Sequence, residues 1–466
     1  MPATQDTSIS RTLGAFALNA DGGAIPADVR IRAQHHILDA VGIALASGRF
    51  DFSKTTLRGI QALGGAGDVP VIGMPARLSA RDAAMMNGFL VHGLDFDDTH
   101  MGGVIHPTAS VLPAVLSASS MVNVSGSDLV TAYIVGIEAA TRLGAVAQGG
   151  FHQVGFHPTG IIGVFASALA VGRLLGLNEQ QMADAQGIAL SMSSGSLEFL
   201  ADGAWNKRLH PGWAAAAGIT AAVLAKEGFN GITLPYEGRF GFFNAYLGKE
   251  AGRQKLELAT GGLAKTWELM NTAIKPYPTC HFVHACIDAA LELRKQGLDP
   301  DSIDTIEALV PADVIKTVCE PAANKKKPAN SYDAQFSVPF LTAAAFVRQR
   351  LTLADIEEEA LRDVEILKLA DKVSYRADPD SPFPKAYSGE LVVTTKDGKV
   401  MRHREHINRG AADRPLTNAE IVAKYSGNAA LAVDQDKMAR VEAAVLNLDR
   451  ANDASALMQA LSVSLH

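Results

Sequence analysis

The densest run of reactive side chains is His92-Gly93-Leu94-Asp95-Phe96-Asp97-Asp98-Thr99-His100, followed closely by His106-Pro107-Thr108. It places three carboxylates and three imidazoles at the end of one predicted helix and before another opened by Pro107, where unpaired N–H groups favour anions. A second run, Phe156-His157-Pro158-Thr159-Gly160, repeats the His-Pro-Thr triplet before an apolar helix. Two imidazoles in the same context could face one anionic ligand. A third, Trp205-Asn206-Lys207-Arg208-Leu209-His210-Pro211, sets cations just before an Ala-rich helix, where the dipole disfavours them. A local cost of that kind fits the holding of a carboxylate. The fourth, Lys275-Pro276-Tyr277-Pro278-Thr279-Cys280-His281-Phe282-Val283-His284-Ala285-Cys286, contains metal-ligand types. A helix from about 281 turns His281 and His284 to one face and Cys286 to another, so a closed four-ligand zinc site is not expected. The plain alternatives are capping residues and solvated loops.

These runs need a scaffold. Through about residue 260 the chain is rich in Ala, Gly, Leu and Val at helical spacing, with a capping box expected from Ser79 and Asp82 and helices expected at about 127–147, 159–175, 178–193 and 211–227. Small residues on their faces allow close approach. Near Lys265 the pattern changes. Ile306–Val310 reads as a strand, and Glu390–Thr395 with Lys396-Asp397-Gly398-Lys399 and Val400 reads as a hairpin. Helices are expected there at about 283–297, 334–349 and 353–364. After about 405 helical periodicity returns, Thr417 and Glu420 forming a capping box. A tail so short cannot bury its own core and should rejoin the first part. The expected fold is mainly α: a discontinuous all-helical bundle, 1–265 with 405–466, and an inserted smaller α+β lid domain, 266–404.

The 466 residues carry 42 basic and 49 acidic side chains, 48% hydrophobic residues and a net charge of −7, which suits a folded core and disfavours nucleic acid as a partner. Lys325-Lys326-Lys327 reads as a solvated loop. Three cysteines, Cys280, Cys286 and Cys319, build no disulfide framework and suit a reducing compartment. Met1–Arg11 lacks an apolar stretch, and Gly160–Gly172 is too short to span a bilayer. The expectation is a cytoplasmic protein with no membrane partner.

The runs DFDDTH…HPT, FHPTG, KRLHPGW, KPYPTCHFVHACIDA and DAQFS, in this order, resemble the MmgE/PrpD family over nearly the whole chain. That family includes 2-methylcitrate dehydratase, cis-aconitate decarboxylase and iminodisuccinate epimerase. The resemblance implies a helical domain of both chain ends with an inserted α+β lid and the site between them, no metal or organic cofactor, and a homodimer. It also implies active-site roles for Asp95, Thr99, His106, His157, Lys207 and His284. On this reading His106 and His157 are base and acid on opposite faces of a small anionic polycarboxylate, and Lys207 and His284 hold carboxylates or donate a proton. Asp95 orients an imidazole. Thr99, Arg208, His100, Lys275 and His281 bind substrate, while Asp97 or Asp98 caps a helix.

The shared chemistry concerns hydrogen on carbon beside a carboxylate, which needs a base of near-neutral pKa and fixed donors where charge develops. Reprotonation on the other face gives epimerisation, loss of a β-hydroxyl gives dehydration, and loss of carbon dioxide gives decarboxylation. His100 departs from the Trp that methylcitrate dehydratases carry after Asp-Thr, and this extra imidazole favours a two-base epimerase acting on an iminodisuccinate-like substrate. The alternatives are a dehydratase or decarboxylase of the same family, a metal-dependent hydrolase using Asp95, Asp97 and Asp98, and a carboxylate-binding protein without turnover.

Overall fold

The computed structural model describes residues 8–463 apart from 65, 66 and 202. The described chain is mostly helical with small sheets, and it divides into two units, Met1–Ile274 with Thr417–His466 and Lys275–Leu416.

The first unit opens with α1 (Ile9–Asn19), α2 (Ala27–Ser47), α3 (Asp51–Leu63) and α4 (Ala80–His92), and continues with α5 (Thr108–Ala118), α6 (Gly126–Val146), α7 (Pro158–Leu174), α8 (Glu179–Leu190) and α9 (Asn206–Lys226). All of α5 and Pro158–Gly172 of α7 are buried, as expected of helices apolar on every side. α6 is long and apolar enough to cross a membrane by length and composition, yet the apolar stretch is 94% buried among other parts of the protein, the position of a core helix. Its one buried ion pair, Glu138 with Arg142 at 3.2 Å, faces the 261–269 segment, where Glu138 accepts from the Leu269 N–H.

Helix α9 packs against α4 and α7. Glycine permits the first contact: a Cβ on Gly212 would stand 2.1 Å from the Met85 carbonyl oxygen, and one on Gly88 would stand 2.6 Å from Gly212 Cα. The two backbones touch, which brings Lys207 and His210 beside the loop that leaves α4 at His92. α9 starts five residues before the expected 211. Pro211 therefore lies inside the helix, where a missing N–H and a ring clash normally oppose it. Tertiary bonds from Lys207 and Arg208 hold the extra turn in place. At Ser79 half of the expected capping box forms: its hydroxyl accepts from the Asp82 N–H, while the Asp82 carboxylate pairs with Arg81.

Two short strands close the unit, β1 (Thr99–His100) and β2 (Thr272–Ala273), paired antiparallel. That pairing explains why residues 266–274, assigned by composition to the inserted domain, belong to the helical unit.

The second unit holds α10 (His284–Lys295), β3 (Ile303–Val310), α11 (Val338–Arg348), β4 (Val373–Ala377), β5 (Gly389–Thr395) and β6 (Val400–Glu405). Its sheet has the order β4-β3-β5-β6, with β3 and β4 parallel and the other pairs antiparallel. The β5–β6 turn uses Gly398 at φ 84°, the conformation an Asp-Gly turn requires. The single helix expected at 334–349 is two, because Ser337 caps a new start at Val338. Only short turns form over 353–361. β4 escaped the sequence reading, since Val373-Ser374-Tyr375-Arg376-Ala377 sits at an edge and buries little beyond Val373. Residues 405–416 stay with this unit, tied by Asn408 to His281 and by the Arg409 N–H to Asp288 at 3.0 Å.

The chain returns to the first unit through α12 (Asn418–Ala429), started by the Thr417–Glu420 capping box, and α13 (Gln435–Leu446). α12 lies on α2, where a Cβ on Gly42 would stand 2.9 Å from the Tyr425 ring. Lys424 reaches in to Asp39 at 2.8 Å, to the Phe96 carbonyl at 2.9 Å and over the Phe96 ring at 3.8 Å.

Candidate active site

The loop after α4 is built around two constraints. Asp95 has φ 50°, a left-handed conformation that Asp tolerates better than most residues, and this bend sends its carboxylate to Lys207 Nζ at 2.9 Å. Both side chains are buried, at 1% and 7% exposure. The anionic Asp95 thus answers the cation on the first turn of α9, which the dipole alone would disfavour. One residue on, Arg208 donates to the Gly93 carbonyl at 2.7 Å and stacks over Phe52 at 4.2 Å. The structure makes Arg208 a clamp on this loop.

Four imidazoles gather beside that ion pair. The His92 ring lies 4.9 Å from His106 and 5.6 Å from His157, and His157 lies 5.3 Å from His210. Each ring is held through Nδ1. His92 Nδ1 pairs with Asp97 at 2.7 Å, with both side chains fully buried. His106 Nδ1–H donates to the Asp98 carbonyl at 2.8 Å and lies 3.1 Å from the Thr99 hydroxyl, which makes Nε2 the basic nitrogen of that ring. Thr99 therefore orients an imidazole. His157 Nδ1 meets His210 Nδ1 at 3.1 Å. The two His-Pro helix starts are tied together, the His106 N–H donating to Thr159 Oγ1 at 3.0 Å, so the N-termini of α5 and α7 open on one region. Burial, then the neighbouring His210, Lys207, His92 and His106, holds His157 well below the usual imidazole range. Burial, then His92 and Lys207, lowers His210 to about 4. Both rings are neutral at physiological pH.

Asp98 accepts from His36 Nδ1 at 2.8 Å and from the Thr108 N–H at 3.3 Å, so it is the carboxylate that caps a helix. Behind it, burial raises the Asp39 carboxyl to about 6 even with Lys424 opposing the shift.

His100 stands in a different place from the one its role required. The Gly103 N–H donates to its Nδ1 at 3.1 Å, which fixes the proton on Nε2, and Nε2 donates to Glu268 at 3.1 Å. Glu268 drops to about 2, chiefly through that bond. With both ring nitrogens engaged in a strap between β1 and the segment before β2, His100 is a fastening. It is not a second base, and it is not placed to bind substrate.

The second unit holds its own cluster. Lys275 and His284 are fully buried and His281 nearly so. The His281 and His284 rings lie 4.8 Å apart, Asn408 donates to His281 Nε2, and His284 Nε2 donates to the Thr279 carbonyl at 3.3 Å. Cys280 and Cys286 are buried thiols.

Asp95, Thr99, His106, His157 and Lys207 are therefore brought together in one unit, and Lys275, His281 and His284 in the other. His92 and His210 were missed as site residues. The available signals were local: His92 ends the helix three residues before Asp95, and His210 follows Lys207 by three, the spacing of one helix face. Ligand atoms of His92, His106 and His157, or of His92, Asp95, Asp97 and His106, come within 4.8 Å of one another. In the second of these sets a metal ion would have to share Asp95 with the Lys207 ammonium.

Residues 11–254 match the MmgE/PrpD N-terminal domain and residues 277–450 match the MmgE/PrpD C-terminal domain. The chain is 30% identical to a cis-aconitate decarboxylase of Aspergillus terreus, over 96% of this chain and 94% of that one. It is 29% identical to the human cis-aconitate decarboxylase, over 82% of this chain and 79% of the relative, and 24% identical to the 2-methylcitrate dehydratase of Escherichia coli strain K12, over 71% of each. With both domains matched in order across most of its length, the chain belongs to the MmgE/PrpD family.

Proposed function

We propose that the protein is a lyase that releases carbon dioxide from a small unsaturated polycarboxylate of the cis-aconitate type, using its own imidazoles for acid–base chemistry. The observation that carries this reading is the buried group of Lys207, His106 and His157 at two helix N-termini, in a chain aligned over almost its full length with decarboxylases. Lys207 and the start of α7 supply the positive potential for a polyanion. Loss of carbon dioxide leaves an electron pair that is delocalised through the double bond towards a remaining carboxylate, and an imidazole N–H then gives a proton to the far carbon of that allylic system, which leaves a methylene group behind. Neutral His157, buried close to Lys207, is the donor in this reading, and His106, held through Nδ1, lines the site beside it.

This replaces the epimerase preference. That preference rested on His100 as a second base, and His100 is bound to Glu268 and Gly103. Dehydration of a methylcitrate-like substrate is the second reading, favoured by the shorter match to 2-methylcitrate dehydratases. The reading of the inserted unit as a lid domain carrying Lys275, His281 and His284 belongs to the same proposal. So does a homodimeric state, which the exposed side chains of Trp213, Phe229, Ile232 and Phe240 support.

The test is proton NMR with carbon dioxide detection, in EDTA, against cis-aconitate, 2-methylcitrate and iminodisuccinate. Carbon dioxide with a new methylene product from cis-aconitate is the expected result. Water loss from 2-methylcitrate alone would move the chain to the dehydratases, and interconversion of iminodisuccinate stereoisomers alone would restore the epimerase.

A further inference from the structure

Decarboxylation has a proton balance that dehydration and epimerisation lack. When a tricarboxylate trianion becomes a dicarboxylate dianion and neutral carbon dioxide, the carbon–carbon bond breaks, its electron pair passes into the allylic system, and a carbon of that system takes one proton, drawn in balance from solvent, in every turnover. Dehydration returns the abstracted proton with hydroxide as water, and epimerisation gives back the proton it removes. A buried neutral imidazole that gives this proton must receive another on its second nitrogen as it does so.

His157 is such an acid, 1% exposed. A neutral imidazole that gives up its only N–H proton becomes an imidazolate, which is far too basic to form unaided. The side chain that relieves this is His210. Its Nδ1 stands 3.1 Å from His157 Nδ1, a contact that requires a proton on one nitrogen and a lone pair on the other. His210 lies one turn after Lys207 on α9 and is only half-buried, so it links the enclosed ring to the outside. Its position is fixed on several sides. Phe199 meets both rings edge-on, at 6.3 and 6.1 Å, and Gly160 leaves the room it needs, since a Cβ there would stand 3.0 Å from His210 Cβ. Among the described residues, the titratable groups that bear on the pair are His92, His106 and Lys207, all basic.

We propose that His210 is a positioning and proton-relay residue that connects His157 to solvent. This inference rests on the decarboxylase reading for its purpose. In the relay the His157 Nε2 proton goes to the substrate carbon, the His210 Nδ1 proton crosses to His157 Nδ1, and water supplies a proton to His210 Nε2. Three N–H or C–H bonds form and three bonds to hydrogen break, with both imidazoles neutral throughout. After product leaves, the shared proton crosses back from His157 Nδ1 to His210 Nδ1 as one proton enters from water at His157 Nε2 and one leaves to water at His210 Nε2, which restores the starting tautomers with both rings neutral. The low proton affinity of both rings suits this, because neither is trapped as imidazolium.

The experiment is His210→Gln in the full chain. The expected result is a kcat lowered roughly ten- to a hundredfold with KM little changed, a larger solvent deuterium effect on kcat, and recovery of rate that grows with added imidazole. Unchanged kcat, or a loss that imidazole does not restore and that leaves the isotope effect unaltered, would overturn the relay. Ring 15N NMR of the wild-type protein supplies a readout that needs no turnover: one protonated and one bare Nδ1 across the pair is expected, and two alike would refute it. If cis-aconitate proves inert while the NMR shows the shared proton, the decarboxylase reading fails and the His157–His210 pairing stands.

Discussion

Replacing Lys207 by Met separates what the Asp95–Lys207 pair does for folding from what it does for chemistry. At 2.9 Å, with an effective dielectric of about 20, the attraction amounts to about 6 kcal/mol, and much of it is offset by taking both charges out of water. Methionine keeps the length of the side chain and removes the charge, which leaves Asp95, 1% exposed, as a buried carboxylate facing an apolar group. Breaking one partner of such a pair costs about 3–5 kcal/mol, or on the order of 3–5 °C in melting midpoint for a chain of this length. The double variant Asp95→Asn with Lys207→Met removes both charges and should recover most of the stability. Thermal melts of the three proteins, with turnover measured beside them, give the answer. Turnover should be abolished in both variants, because the ammonium that faces the polyanion is gone in each. A Lys207→Met protein as stable as the wild type, or a double variant no more stable than the single, would refute the claim that this pair is a buried ion pair holding the loop.

Two further outcomes follow from the same geometry. His210 titrates at about 4 against an ordinary 6.5, so the unfolded chain binds its proton first. The stability this group contributes is complete above about 6.5 and is lost as pH falls through 4, a change of about 3 kcal/mol. Urea midpoints followed across that window should fall less steeply in His210→Gln than in wild type, and parallel slopes would count against the burial of this ring. Asp39 runs the other way in both proteins, gaining stability as pH drops through about 6, so only the difference between them is diagnostic. Glu268→Gln removes a carboxylate held at about 2, whose contribution is present above the ordinary 4.5 and is lost as pH falls through 2. Because Glu268 is 26% exposed, the cost at neutral pH is discounted to about 1–2 kcal/mol, read by thermal melting. Turnover should survive, and its collapse would return His100 to the chemistry.

Much of this architecture is legible in the sequence because its helices are decided locally. His-Pro before an apolar run marked the starts of α5 and α7, and Thr417 with Glu420 marked α12. What failed depended on partners distant in sequence. The first turn of α9 exists because Asp95 and Gly93, more than a hundred residues earlier, bind Lys207 and Arg208. His100 looks like an extra base until Glu268, 168 residues later, is placed against it. The boundaries of the inserted unit moved for the same reason, since β2 is recognised only by its pairing with β1. The cluster of Asp95, His106, His157 and Lys207 could be assembled from motifs. His210 could not be chosen over other histidines until its ring was seen against His157.

Lys424 lies close to the carboxyl end of the chain, yet it grips Asp39 and the Phe96 carbonyl beneath the reactive loop. During synthesis the loop emerges from the ribosome more than three hundred residues before the lysine that braces it. From His210 to Lys424 the nascent polypeptide holds all four clustered imidazoles without this strut under their loop. Removing α12 would leave a protein with the clustered imidazoles present and the loop that carries Asp95 without its brace.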